Sequence, residues 1–216
     1  MMRADGIPAG PESGCVFDGT FPFAIAICGL DELAGHGGAG ATHVLSILDP
    51  DRAVPDAFTG FRTHRRLELR FHDVVEPLDA MVPPDDAHIR ALLAFGRDMR
   101  ASERAPLLLV HCHAGISRST AAMALMLADA MPEEDAHRVL RRVHAVREKA
   151  WPNLRMMELG DALLGRRGTL VAATHALHRL QLDRRPHVAP LMERDGRGRE
   201  VRGAVRSAPL VPAPGR

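Results

Sequence analysis

Ten residues, His111 to Thr120, read HCHAGISRST and stand between two apolar segments of different kind. Upstream, Leu107 to Val110 is short and continuously apolar, the pattern of a central strand covered on both faces. Downstream, from about Ser117 to Ala130, the chain is apolar almost all round, with Ala121, Met123, Leu125, Met126 and Leu127, which predicts a buried helix. In a strand, loop and helix taken in that order, the loop amides from His113 to Arg118 can all point inward at the positive end of the helix. The segment is therefore read as an anion site.

Each residue type in the loop has a chemical use. Cys112, at a helix N-terminus beside an arginine, has its thiolate stabilised and becomes a nucleophile. Arg118, in the first helical turn, can meet two oxygens of a phosphoryl group with its planar fork, which a lysine cannot do. Gly115 permits a backbone conformation that would crowd a Cβ. Ser119 can donate a hydrogen bond to the sulfur.

Around this segment the chain alternates between strand and helix signals. Ala24 to Cys28 and Thr42 to Leu48 are apolar runs closed by Gly29 and by Asp49 with Pro50, and both read as buried strands. Leu67, Leu69 and Phe71 alternate with Glu68, Arg70 and His72, the period of a strand with one wet face. Asp85 is placed to cap a helix with the stripe Ile89, Leu92, Leu93 and Met99. Pro132, Glu133 and Glu134 read as the opening of a further helix carrying Ala136, Val139, Leu140, Val143 and Val146. Leu154 to Leu164 with a glycine stop at Gly165, and a stretch near Leu170 to Leu182, supply two more. Residues 1–20, rich in Gly and Pro, are expected to be a flexible arm. Residues 183–216, studded with Arg, Gly and Pro, are expected to be a disordered tail, either a solvated extension or a docking arm.

Composition narrows the partners. With 28 Lys and Arg against 27 Asp and Glu in 216 residues, the net charge of +1 gives no long-range pull toward nucleic acid or an anionic membrane. The longest apolar runs fall short of the roughly 18 residues a membrane span needs. The start of the chain lacks the pattern of a secretory signal, so a cytoplasmic protein is expected. Three cysteines, at 15, 28 and 112, with no CxxC pair, fit neither a disulfide framework nor a zinc ribbon. Cys28 reads as a small core residue. The adjacent His111, Cys112 and His113 would converge poorly on a tetrahedral ion, even with His72 and His88, so neither a metal nor another cofactor is expected.

The loop resembles the signature of the cysteine-dependent protein tyrosine and dual-specificity phosphatases, HCxxGxxR followed by Ser or Thr, with every fixed position filled. It is most similar to small bacterial members whose loop reads AGISRST, as Ala114 to Thr120 do here. The resemblance covers about residues 21–165, taken as the phosphatase domain, with 166–182 as an additional helix. It implies an α/β fold with a mostly parallel sheet of four or five strands between helices. It implies a phosphorylated protein or peptide as substrate, phosphotyrosine alone or both ester classes, and it leaves the oligomeric state open. Such enzymes need an aspartate as general acid upstream of the cysteine. Asp73 is the choice, on a strand expected to pair beside the cysteine strand, with Asp79, Asp85 and Asp86 as alternatives and a plain turn role as the bland reading. This loop departs from the tyrosine-specific Trp-Pro-Asp, since here Phe71, His72 and Asp73 stand together. The resemblance also implies that Asn153, after Pro152, braces the phosphate loop, a role compatible with simple helix capping. His111 is implied to lie beneath the cysteine, donating to backbone. Phe58, Phe61 or Phe71 could supply a ring to the substrate pocket.

Two other functions use a similar loop. A rhodanese-like sulfurtransferase also holds a cysteine in an anion-binding loop, and a non-catalytic pseudophosphatase would bind phosphorylated partners. The complete signature, with Arg118 and Ser119, disfavours the first, and the intact Cys112, Arg118 and Asp73 disfavour the second.

Overall fold

The computed structural model describes residues 15–16, 21–102 and 106–210. Cys15–Val16 (β1), Ala24–Cys28 (β2), His43–Leu48 (β3), Arg65–Arg70 (β4) and Leu107–His111 (β5) form one sheet in the order β1, β2, β5, β3, β4. The pairs β2 with β5, β5 with β3 and β3 with β4 are parallel, while β1 runs antiparallel to β2. Side-chain alternation sorts the strands between two cores. Ile25, Ile27, Leu45, Ile47, Leu108 and Val110 join the larger, and Ala26, Cys28, Val44 and Leu109 the smaller.

The larger core is covered by Asp86–Arg100, Arg118–Ala130, Ala136–Val146, Leu154–Leu163 and Thr169–Arg184, all helices. With the short helix Leu30–Leu33 counted as α1, these are α2 to α6. Polar caps fix where three of them begin. Asp85 Oδ1 accepts from the His88 amide at 3.0 Å, Asp135 Oδ1 from Arg138 at 3.1 Å and Asn153 Oδ1 from Met156 at 3.0 Å. Every residue of α3 from Arg118 to Ala128 is buried, so the helix that follows the cysteine loop runs through the middle of the core. Cys28 is fully buried in the smaller core. Among the described residues no helix is long and apolar enough to cross a membrane.

Four sequence expectations are corrected. The helix read from Pro132 begins at Ala136, because Asp135 supplies the cap that the proline and glutamates only precede. The strand before Asp73 does not neighbour the cysteine strand, since the fully buried β3 lies between and the half-exposed β4 takes the sheet edge. Within the arm, Cys15–Val16 is ordered as strand, while the rest of the arm and the Cys15 side chain lie outside the described residues.

The fourth correction concerns residues 183–210, which are structured. Val188–Arg194 (α7) and Gly198–Val205 (α8) fold back, and Val201 and Ala204 bury against Trp151 and Leu182. The Leu210 amide bonds the Ala176 carbonyl at 2.8 Å. So few apolar residues give no readable stripe. What holds the segment is a buried ion pair, Arg197 Nε to Glu200 Oε2 at 2.7 Å, whose further partners lie far away in sequence. Residues 211–216 are outside the described part.

The close contact of α3 and α5 is testable. A Cβ at Gly160 would stand 2.2 Å from Leu125 Cδ2, inside a packed core. Gly160→Ala should destabilise the fold by about 1–3 kcal/mol, read as a lowered Tm in thermal unfolding. An unchanged Tm would mean that the two helices are not in contact.

Candidate active site

Parallel strands bring their C-terminal ends to one edge of a sheet, where α/β proteins place ligands. Gly29 follows β2, Asp49 follows β3, Asp73 comes shortly after β4 and Cys112 follows β5. The loop from Cys112 to Arg118 sits directly on the end of β2. Gly115 has φ +68°, and a Cβ there would lie 2.5 Å from the Cys28 carbonyl carbon and 2.6 Å from the Gly29 nitrogen. Four carbonyls of the loop are engaged from outside it or by the helix it opens. His113 O accepts from the Leu30 amide (2.8 Å), Ala114 O from Arg147 Nη2 (3.1 Å), Ile116 O from the Trp151 amide (2.9 Å) and Ser117 O from the Ala121 amide (3.0 Å). In a trans peptide the N–H opposes the C=O, so the amides following these carbonyls turn the other way, toward the concave side.

The loop floor holds Cys112, which is 2% exposed, with its Sγ 3.3 Å from Ser119 Oγ. His111 lies in the sheet beneath it and pairs through Nε2 with Ser46 Oγ of β3. Burial pushes the His111 pKa down to about 4, against the opposing pull of the Cys112 backbone. The imidazole is therefore neutral near pH 7, and the cationic groups at the site are arginines. The Arg118 side chain is almost wholly buried, and its Nη1 donates to Asp49 Oδ1 and to the Phe71 carbonyl, both at 2.6 Å. Its Nε is buried with no hydrogen-bond partner among the described residues.

Asp73 reaches this loop from 44 residues away. Its Oδ1 accepts from Ser117 Oγ at 2.7 Å and from Asn153 Nδ2 at 2.8 Å, and its Oδ2 lies 3.2 Å from Arg197 Nη1. Burial favours the neutral carboxyl, but Arg197, Arg118 and the two hydrogen bonds outweigh it and hold the Asp73 pKa below the ordinary carboxylate value. Of the other aspartates weighed from sequence, Asp85 is engaged in the α2 cap, Asp86 pairs with Arg90 on the surface and Asp79 is exposed. Asn153 has two tasks. Its carbonyl caps α5, while its amide holds Asp73 and the Val74 carbonyl.

Sequence reasoning missed three residues here. Asp49, read as a turn, is the carboxylate that fixes Arg118, and its position at the end of a buried parallel strand was the available signal. Arg197 and Glu200 carry none, because an arginine and a glutamate three apart on a helix are ordinary surface residues. Phe71 is fully buried against His88, and Phe58 packs on the His111 ring, on the other side of the sheet from the helical core. Two clefts flank the loop. One, of about 670 Å³, is lined by Asp49, Asp51, Arg52, Asp56 and His113. The other, of about 430 Å³, is lined by Ile116, Lys149, Trp151, Arg185 and Met192. Among the described residues no group of three or more His, Cys, Asp or Glu is placed to hold a metal ion.

Residues 65–158, which contain Asp73, the cysteine loop and Asn153, match the family model for protein-tyrosine phosphatase. Over that segment the chain is similar to the protein-tyrosine phosphatases. The solved structures show the shared fold. Tk-PTP in its active form is 17% identical, with 71% of this chain and 97% of that chain covered and a TM-score of 0.51. DUSP15 is 21% identical, with 70% and 88% covered and a TM-score of 0.51. The PTP-2 phosphatase of Cydia pomonella is 15% identical, with 68% and 88% covered and the same TM-score. None of the curated proteins matches this chain. The phosphatase match ends before α6, so Arg197 and Glu200 lie outside it.

Two measurements test this geometry. Gly115→Ala must push the loop off β2, so the variant should lose inorganic-phosphate binding by titration calorimetry and unfold at lower temperature. Normal binding would contradict the close approach. The unfolded chain protonates His111 near its ordinary value of about 6.5, whereas the folded chain does so only near 4. Between those values the unfolded state binds more protons, so stability rises with pH there. His111→Asn should flatten part of the rise in Tm across that window.

Proposed function

We propose that this protein hydrolyses phosphate monoesters on a phosphorylated protein or peptide, through a cysteinyl-phosphate intermediate. The observation that carries this reading is the convergence of Asp73 on the cysteine loop, where it accepts from Ser117 Oγ at 2.7 Å beside Cys112 and Arg118. A nucleophile, a nest of amides, an arginine with an unsatisfied buried donor and a carboxyl for proton transfer then stand together.

The chemistry follows from these positions. Cys112 Sγ attacks phosphorus in line, and the bond from phosphorus to the departing oxygen breaks. Arg118 and the loop amides carry the equatorial oxygens, with the buried Nε meeting one of them. Asp73 gives its proton to the departing oxygen, then takes one from the water that attacks the cysteinyl-phosphate. Ser119 donates to the returning thiolate.

The resting site holds Asp73 ionised, so arrival of substrate must help it take up a proton. A phosphoryl dianion seated on Arg118 offsets one of the two guanidiniums that stabilise the carboxylate. Its own negative charge also raises the proton affinity of Asp73. Binding and acid formation are thereby coupled.

Loop residues His113, Ala114 and Ile116 carry no lysine, which favours a peptide ester over a polyphosphorylated lipid headgroup. With Phe71 and Trp151 buried and no tyrosine in the chain, an aromatic substrate ring would rest on Ile116 and Met192 at the apolar cleft.

Cys112→Ser should bring turnover of an aryl phosphate to background while phosphate still binds. Retained turnover rejects the mechanism. Asp73→Ala should slow a poor leaving group by about 10²–10⁴ and a good one far less. Equal slowing of both esters would assign the acid role elsewhere.

A further inference from the structure

The segment beyond α6 has no counterpart in the matched phosphatase region, yet it delivers one side chain to the site. Arg197 stands at the start of α8 and is 7% exposed. Its Nε donates to Glu200 Oε2 at 2.7 Å and its Nη2 to Glu200 Oε1 at 2.8 Å, a bidentate pair. Glu200 is held in turn, accepting from Trp151 Nε1 at 2.8 Å and from the Leu154 amide at 2.9 Å. The guanidinium cannot swing. Its remaining face is set against Ser117 Oγ, 3.0 Å from Nη2, and Asp73 Oδ2, 3.2 Å from Nη1.

The hydroxyl of Ser117 has a single proton. Because it accepts from Arg197, that proton is committed to Asp73 Oδ1, which also receives the Asn153 amide. Oδ1 is thus doubly donated. An acid proton on Asp73 must reside on Oδ2, the oxygen that faces Arg197.

We propose that Arg197 is a positioning residue for Asp73, one that favours its carboxylate form both directly and through Ser117 and so makes the C-terminal extension part of the phosphatase site. The inference rests on the phosphatase reading above. Protonation of Oδ2 must loosen the contact with Arg197, and return to the carboxylate restores it. Arg197 therefore opposes the protonation that arms Asp73 as an acid, assists release of that proton to the departing oxygen, and holds Asp73 as the carboxylate that must serve as base in the second step. The other groups facing this carboxyl are Arg118 and His113, on the cysteine loop and the helix it opens, with Ser117 and Asn153 as neutral donors. Glu200 and Cys112 are the other titratable groups near Arg197. Removing Arg197 alone leaves Glu200 buried without its cation, so the clean variant neutralises both.

The test is the pH profile of kcat/KM on an aryl phosphate with a poor leaving group, in the full-length protein. Arg197→Met combined with Glu200→Gln should move the basic limb upward by about 1 pH unit, since the acid then keeps its proton to higher pH. Arg197→Gln, which keeps a donor for Glu200, should move it the same way if the double variant does not fold. Arg197→Lys preserves the charge and should leave the limb within about 0.3 units. An unmoved limb in a folded uncharged variant overturns the proposal. So does a shift in Arg197→Lys as large as in the uncharged variants, because shape and not charge would then be responsible. Failure of the phosphatase reading looks different. In that case the unaltered protein shows no turnover, or Cys112→Ser retains it.

Discussion

The seat of the cysteine loop on the end of β2 is the contact on which the site depends. Gly115 approaches the Cys28 and Gly29 backbone more closely than any side-chain-bearing residue could, and the Leu30 amide fastens the His113 carbonyl beside it. Once the loop is pressed there, four of its carbonyls are engaged from outside it or by the helix it opens, and the amides that follow them are left to the concave side. The buried α3 then fixes the start of the helix from within the core, and Arg118 is directed onto Asp49 and Phe71. The loop is held mainly by backbone contacts, to which Arg147 and Asp49 add side-chain ones, an arrangement preorganised for the phosphoryl ligand proposed above.

Much of this was legible because the signals are local. Continuous apolarity marked β2, β3 and β5, a period of two marked β4, and the HCHAGISRST segment declared its loop by the kinds of residue it contains. Asp85 was readable as a cap because capping is decided within four residues. The start of α4 was misread because Pro132 and Glu133 satisfy the same preferences as a true first turn, while the deciding hydrogen bond belongs to Asp135. The position of β4 could not be read, since alternation reports which face is wet and not which strand is adjacent. Asp73 was found through the family pattern, but its tethers, Ser117 and Asn153, are 44 and 80 residues distant.

The extension beyond α6 illustrates a different kind of illegibility. Its composition is that of a solvated tail, and its apolar residues are too few to show a period. Order comes from a carboxylate that collects the Trp151 indole, the Leu154 amide and the Arg197 guanidinium in one buried place. His178 of α6 adds to the same brace by stacking on Trp151 at 4.2 Å and bonding the Pro152 carbonyl. Such an arrangement is cooperative, because each polar group is tolerated in the interior only while the others are present.

Arg197 also follows the sheet, the cysteine loop and Asp73 in the chain, and that order has a consequence for biosynthesis. A polypeptide emerges from the ribosome N-terminus first, and its early segments begin to fold before the last residues appear. The nascent protein therefore assembles the cysteine loop before the residue that completes the surroundings of the Asp73 carboxylate has been released. The contacts around Asp73 are thus complete only after α8 has emerged, and a chain cut short after α6 would keep the signature loop while lacking the ion pair beside it.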